Sequence, residues 1–333
     1  MLRFTPEQQQ AILASRSGFD RTQTALAAAN ASDMLVGNAA PVDIDAWRRI
    51  DDRATVVQRD VLAVFNRLAQ ASQTPIDIGD IVSYFPQTSD SGEASVSMDG
   101  RHPGRSDQPL VKYAGTPVPI ISAEARWGWR QAAVNRKGRL NLDMISVENK
   151  QRKVAEKLED MVLNGDGTIV VNGMGLFGLR NHPNRNTFTH GLTLATSTGA
   201  QWLTAFQSMI NGLIGDNAFA RVTVFVNWGD YTSASINEFV AGYPKTILQR
   251  LREIEQIADI VPASRVPANN LLGVAGLETG GWGTILSAMP LSSRPKARAN
   301  TEDDYVVSVM AAAAPQFRVD YDGRMPIIHG TTA

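Results

Sequence analysis

The sequence predicts an α+β chain on three observations. Two stretches, about Asp45 to Ala69 and about Leu140 to Leu163, repeat apolar residues at steps of three and four, the period of an amphipathic helix. Between them lies a strand-and-turn stretch, residues 76–125, with too little apolar content to make a core of its own. After them, helical and apolar strand patterns alternate, as in a sheet covered by helices.

The 333 residues are enough to bury a large core in one elaborated domain or two. The hydrophobic share of 43% and charged share of 20% are those of an ordinary globular protein. No apolar run is long enough to span a bilayer, and the N-terminus lacks a basic stretch leading into an apolar one, so the expected place of synthesis and residence is the cytoplasm. With no cysteine, disulfides, thiolate metal sites and cysteine nucleophiles are excluded together. Lys and Arg number 32 against 33 Asp and Glu, a balance that argues against a dedicated nucleic-acid binder but not against a container whose wall tolerates nucleic acid.

Residues 1–40 read as an arm that packs on something else or, equally, as a disordered tail. Thr5-Pro6-Glu7-Gln8 is a helix start, and the polar, alanine-rich run to about Ala31 has no core stripe. Residues 41–75 carry the first long helix. Trp47, Ile50, Ala54, Val57, Val61, Val64 and Leu68 form its apolar face, with the arginines and aspartates off it.

Residues 76–125 hold strand patterns at Ile81–Phe85, Ala94–Met98, Val111–Tyr113 and Val118–Ile121. Asp99–Asp107 between them is turn chemistry throughout. A long excursion with a polar tip exists to touch something outside its own domain.

Residues 126–198 contain the second long helix, at 140–164. About 24 residues at 1.5 Å each make a rod of roughly 36 Å. Leu140, Met144, Val147, Val154, Leu158 and Met161 hold one face, and Glu148, Lys150, Arg152, Lys153, Glu156, Lys157, Glu159 and Asp160 crowd the other. Glu148 and Arg152 have the favourable i,i+4 spacing. Asn164-Gly165-Asp166-Gly167 reads as a helix stop followed by a turn, with Gly165 suited to a left-handed cap. Residues 199–300 carry helices near Ala200–Leu213, Tyr231–Phe239 and Lys245–Ile257, with strands near Val222–Val226 and Leu271–Leu277. Residues 301–333 add strands near Tyr305–Met310 and Phe317–Tyr321.

Catalytic, cofactor and metal motifs are not found. His102, His182, His190 and His329 lack ligand spacing and nearby carboxylates, and read as loop histidines with ordinary hydrogen bonds. Asn164–Thr168 lacks the later glutamate of a calcium loop, and no GK[ST] follows it. Gly280-Gly281-Trp282-Gly283 has no strand–GxGxxG–helix context and reads as a loop tip, and no GxSxG elbow nominates a serine. Trp127 and Trp129, set among Arg126 and Arg130, read as packing anchors where the excursion meets the body, ahead of base-stacking rings.

The order of these elements resembles the Hong Kong 97-type capsid fold of tailed bacteriophages, which encapsulin shells share. The most specific local match is Asn164-Gly165 followed by Gly175-Leu176-Phe177-Gly178-Leu179-Arg180-Asn181-His182-Pro183, similar to the "NG … GLxGLxNxP" segment after that family's spine helix. Phe317–Ile328 resembles its closing strands. The resemblance implies an N-terminal arm (1–40), a helix of the peripheral region (41–75), an extended β-loop over a neighbouring subunit (76–125), and a peripheral domain (126–198) whose spine helix is 140–164. It further implies an axial α/β domain around the five- and six-fold axes (199–300) and closing strands (301–333).

The implied function is that of a major capsid protein, not an enzyme. Hexamers and pentamers would enclose double-stranded DNA touched non-specifically, with scaffold, portal and cement proteins as partners, no membrane, and assembly in the bacterial host cytoplasm into the virion. No long scaffolding segment precedes the arm, which implies a separate scaffold protein or a very short one. No Lys–Asn cross-linking pair is identified, so no cross-links are expected.

Function is then geometry. Arg101, Arg105 and Asp107 at the loop tip, with Trp127 and Trp129 at its base, are the candidate inter-subunit contacts. Gly79, Gly115 and Gly138 flank the excursion as candidate hinges. An encapsulin-type compartment shell, and a soluble α/β enzyme without recognisable motifs, are the alternatives.

Overall fold

The computed structural model describes residues 62–91, 98, 108–132, 142–242 and 244–332, together with positions 10, 14, 17, 18, 20, 21 and 24. Helix α1 (Ala63–Ala71) leads into β1 (Gln73–Pro75), β2 (Val82–Thr88), β3 (Val111–Pro117) and β4 (Ile120–Trp127). The long helix α2 (Leu142–Asn164) follows, then β5 (Gly165–Val171), β6 (Met174–Phe177) and β7 (Asn186–Thr189). Next come α3 (Gly199–Gly215), β8 (Val222–Asn227), α4 (Trp228–Ile236), α5 (Ile247–Arg252), β9 (Ile257–Ala263) and β10 (Leu271–Ala275). Two long strands, β11 (Gly283–Pro295) and β12 (Tyr305–Phe317), precede β13 (Ile327–Thr331).

The chain forms two compact units, each assembled from segments distant in sequence. The first draws on Met1–Ile81, Val118–Val162 and Ile285–Ala314. Its sheet has the order β1-β11-β12-β4. Short β1 lies parallel to β11, with Gln73 opposite Ile285, and β4 lies antiparallel to β12, with Trp127 opposite Tyr305. The two central strands are buried along most of their length, so they do not alternate apolar with polar.

Helix α2 buries Val147, Val154, Leu158 and Met161, as its periodicity predicts. It also buries Gln151, whose Nε2 donates to Ser293 Oγ at 2.8 Å, and Glu159, only 1% exposed. Glu159 is therefore not part of the solvent face assigned to it. Its two carboxylate oxygens accept the backbone N–H groups of Val64 and Phe65, both at 2.9 Å. Those groups open α1, whose N-cap Leu62 supplies no side-chain bond, so a remote carboxylate does the capping. Arg152 pairs with Glu156 at 3.0 Å.

The second unit joins Val82–Pro117, Leu163–Thr284 and Pro315–Ala333. Its mixed sheet runs β7-β13-β10-β8-β9. Trp202, Phe206, Met209 and Leu213 of α3 share one core cluster with Val222, Val224 and Leu271 of the sheet. Thr198 and Gln201 form a capping box at the start of α3.

Several expectations need correcting. The helix expected over Tyr231–Phe239 is Trp228–Ile236, and that over Lys245–Ile257 stops at Arg252 because β9 begins at Ile257. The strand expected over Phe317–Tyr321 is instead the end of β12 followed by a turn, closed by the Gly323 N–H to Asp320 O bond of 3.0 Å. Gly165, at φ +64°, caps α2 and opens β5 directly, and Asp166 Oδ1 then accepts the Thr168 N–H at 3.1 Å in a side-chain turn, where the β5–β6 register shifts between Asp166 and Val170. The hairpin turn comes later, at Asn172 and Gly173, whose positive φ values of 51° and 77° make the two-residue connection. Gly280–Gly283 is not a free loop tip, since Trp282 is fully buried and its Nε1–H donates to Leu277 O at 3.2 Å. His329 lies on β13, not in a loop. The Ala94–Met98 strand, except Met98, and the helix before Leu62 lie outside the described residues. No helix among the described residues is long and apolar enough to cross a membrane.

Candidate assembly surfaces

The segment 163–182 explains why its glycines sit where they do. Gly165 and Gly178 press backbone on backbone. A Cβ on Gly178 would lie 2.4 Å from Gly165 N, and one on Gly165 would lie 2.4 Å from Leu176 O. Side chains then tie the crossing. Asn181 Oδ1 accepts the Gly178 N–H at 2.7 Å, Arg180 Nη1–H donates to Asn164 Oδ1 at 2.7 Å, and the Arg180 N–H donates to Leu163 O at 2.8 Å. The asparagines and glycines of the motif are thus the parts of one self-contained clasp.

The hairpin β2–β3 is built differently. Its antiparallel register places Tyr84 opposite Gly115, Pro86 opposite Tyr113 and Thr88 opposite Val111. The period of two puts all six on one face. That face is exposed: Tyr84 is 50% and Tyr113 67% accessible, with Val111 similarly open. Gly115 is no flanking hinge. It lies within β3, and a Cβ there would be 2.9 Å from the ring of Tyr84. Gly79 sits in a turn, and Gly138 lies outside the described residues.

The other face of the hairpin meets its own unit through a few polar contacts. Gln316 Nε2 donates to Ser83 O at 3.1 Å, Gln87 Nε2 donates to Val319 O at 3.0 Å, and Lys112 Nζ stands 4.0 Å over the Tyr321 ring. A cavity of about 320 Å³ opens between these contacts, lined by Phe85, Lys112, Phe177, His182 and Phe317 among others.

His182 is buried between the edges of Phe177 and Phe317, with ring centroids 5.4 and 6.3 Å away. Burial and, secondarily, the Arg185 charge lower its pKa to about 4, so the ring is neutral at pH 7. His329, hydrogen-bonded to Asn270 Oδ1 at 2.8 Å, is lowered to about 4 by burial and then by Arg180 and Arg185. Burial likewise lowers His190, whose Nε2 bonds Asn269 O at 3.1 Å. Each makes structural hydrogen bonds, and no group of three or more His, Asp or Glu among the described residues could hold a metal ion.

Of the five sequence-predicted contact residues, Arg101, Arg105 and Asp107 lie outside the described residues. Trp127 closes β4 and stacks on Tyr305 at 6.1 Å and 10°, while the Arg298 guanidinium covers the same Tyr305 ring at 3.8 Å. Trp129 is partly exposed just beyond. The exposed pair Tyr84 and Tyr113 was not singled out from sequence, although alternation along Val82–Thr88 and Val111–Pro117 carries the signal.

A family described as a family of unknown function (DUF6260) matches residues 31–330. The chain belongs to that family. No curated protein matches this DUF6260 member. Solved structures do. The capsid of Myoviridae phage XM1 superposes with a TM-score of 0.63 at 14% identity, covering 81% of this chain and 91% of that one. The virus-like particle from Pyrococcus furiosus gives 0.57 at 12%, covering 85% and 98%. Mycobacterium phage Bobi gives 0.55 at 13%, covering 80% and 89%. At such identities the likeness concerns the fold, and the fold of this DUF6260 chain is the α+β, Hong Kong 97-type fold of phage capsid proteins.

Proposed function

We propose that this chain is a major capsid protein that self-assembles, as hexamers and pentamers, into an icosahedral shell around a phage genome. The observation that carries the reading is the β2–β3 hairpin. A two-stranded ribbon is marginal by itself, yet this one keeps an aromatic face open to solvent on a fold shared with the XM1 capsid. Covering that face with a neighbouring copy supplies the burial it lacks. In this reading residues 76–125 are the extended loop, α2 is the spine helix, and the five-stranded unit faces the symmetry axes. Double-stranded DNA is held non-specifically, and scaffold, portal and cement proteins act as partners. Each exposed ion pair contributes only about 0–1 kcal/mol, so shell stability comes from many repeated interfaces.

A second reading, a compartment shell without a genome, draws on the Pyrococcus furiosus particle, 98% of whose chain is covered. The full chain, expressed alone and with its neighbouring genes, should give closed particles by size-exclusion chromatography and negative-stain microscopy. A small oligomer under both conditions overturns the shell reading. Packaged DNA, against enclosed protein cargo, divides the two forms of it.

A further inference from the structure

We propose that the cavity at the root of the β2–β3 hairpin is a socket for a second copy of this chain, filled by that copy's Asp77–Ile81 turn. The inference rests on the shell reading and adds to it which two pieces of neighbouring copies meet.

The socket has an aromatic wall and a mixed polar rim that includes Gln87, Lys112, Asn184 and Asp320. Phe85, Phe177 and Phe317 line it. His182, more than nine-tenths buried, accepts the Asn184 N–H on Nδ1 at 3.2 Å. The ring hydrogen therefore sits on Nε2, and this N–H donates to nothing among the described residues. That N–H is left open to solvent in the cavity, where an incoming acceptor can replace water. Elsewhere in the same lining, the Lys112 ammonium rests on the Tyr321 ring and forms no ion pair among the described residues. An occupant with an apolar body, an acceptor for Nε2 and a carboxylate placed on the Lys112 side, away from Asp320, suits this lining.

The Asp77–Ile81 turn has those three properties. Ile78 and Ile81 are 52% and 65% exposed. Between them Asp80 is exposed, and its carboxylate has no partner among the described residues. The turn is already shaped, because Asp77 Oδ1 accepts the Gly79 N–H at 2.7 Å and Asp77 O accepts the Asp80 N–H at 3.1 Å. Little conformational freedom is left to lose on docking. Socket and turn are different patches of one chain, so their contact is head-to-tail, the kind that closes into rings.

A charge exchange tests the pairing. Asp80→Lys and Lys112→Glu, separately and together, are made in the full chain, with particle yield read by sedimentation velocity and folding by the melting temperature of unassembled protein. Each single variant should melt like wild type and lose about tenfold or more of its particles, since opposed like charges block an interface. The double variant should regain them. Single variants that assemble normally, or a double variant that does not recover, overturn the inference while leaving the shell reading standing. Absence of wild-type particles overturns the shell reading itself. Should Lys112→Glu fail to fold, cryo-electron microscopy of wild-type particles decides: a neighbour's Asp80 beside His182 Nε2 supports the socket, and solvent there overturns it.

Discussion

The clasp after α2 and the β2–β3 hairpin both depend on glycine, yet they spend it differently. At Gly165 and Gly178 two backbones approach until neither tolerates a Cβ, and Asn164, Arg180 and Asn181 satisfy the polar groups around them. At Gly115 the missing side chain makes room for Tyr84, a ring that stays half exposed. The first region is complete within one chain. The second leaves Tyr84 and Tyr113 open to solvent. On the proposed shell reading, the difference separates residues that determine whether the subunit folds from residues that would determine whether subunits meet.

Breaking the clasp should have the largest effect. Gly178→Ala forces a Cβ against backbone atoms at 2.4–2.6 Å that have no rotamer to yield. We expect a loss above about 4 kcal/mol, read as insoluble protein or a collapsed urea midpoint. Next is Glu159→Ala, which strips two buried N–H groups of their acceptor and should cost about 3 kcal/mol in urea unfolding, with Glu159→Gln recovering part.

Acid should erode the fold as well. His182 and His329 have folded pKa values lowered to about 4, from an ordinary 6.5. The unfolded chain therefore binds more protons between those values. The stability tied to these rings is complete above about pH 6.5 and is lost as pH falls towards 4. Melting temperature against pH should show that decline, and His329→Gln should flatten it. The smallest effect on stability belongs to the hairpin: Tyr113→Ser should stay within about 0.5 kcal/mol of wild type in the unassembled subunit. Its particle yield should nevertheless fall, which is the contrast that sharpens the comparison.

These regions also differ in how much the sequence reveals. Periodicity placed α2 and α3 closely, and Gly165 was legible as a left-handed cap, because helix faces and caps are local. The hairpin strands at Val82 and Val111 were legible for the same reason. Glu159 was not. On a helix crowded with charge, nothing local distinguishes the carboxylate that caps α1 from those facing water. Strand β11 was missed because its buried serines and prolines break the apolar pattern, and β1 because three residues opposite Ile285 have no local signature. Trp127 was legible as a packing anchor by its chemistry. Tyr84 and Tyr113 were passed over because their shared face exists only once the register is known.

The capping of α1 by Glu159 sets a schedule for synthesis. Val64 and Phe65 leave the ribosome well before the carboxylate that holds them, and Gln73 must wait for Ile285 to arrive as its strand partner. Loop closures of that span come late, and the apolar side of α1 stays uncovered meanwhile. The first unit closes only when residues up to Ala314 have emerged. A nascent chain therefore cannot complete its first unit until translation has passed β12.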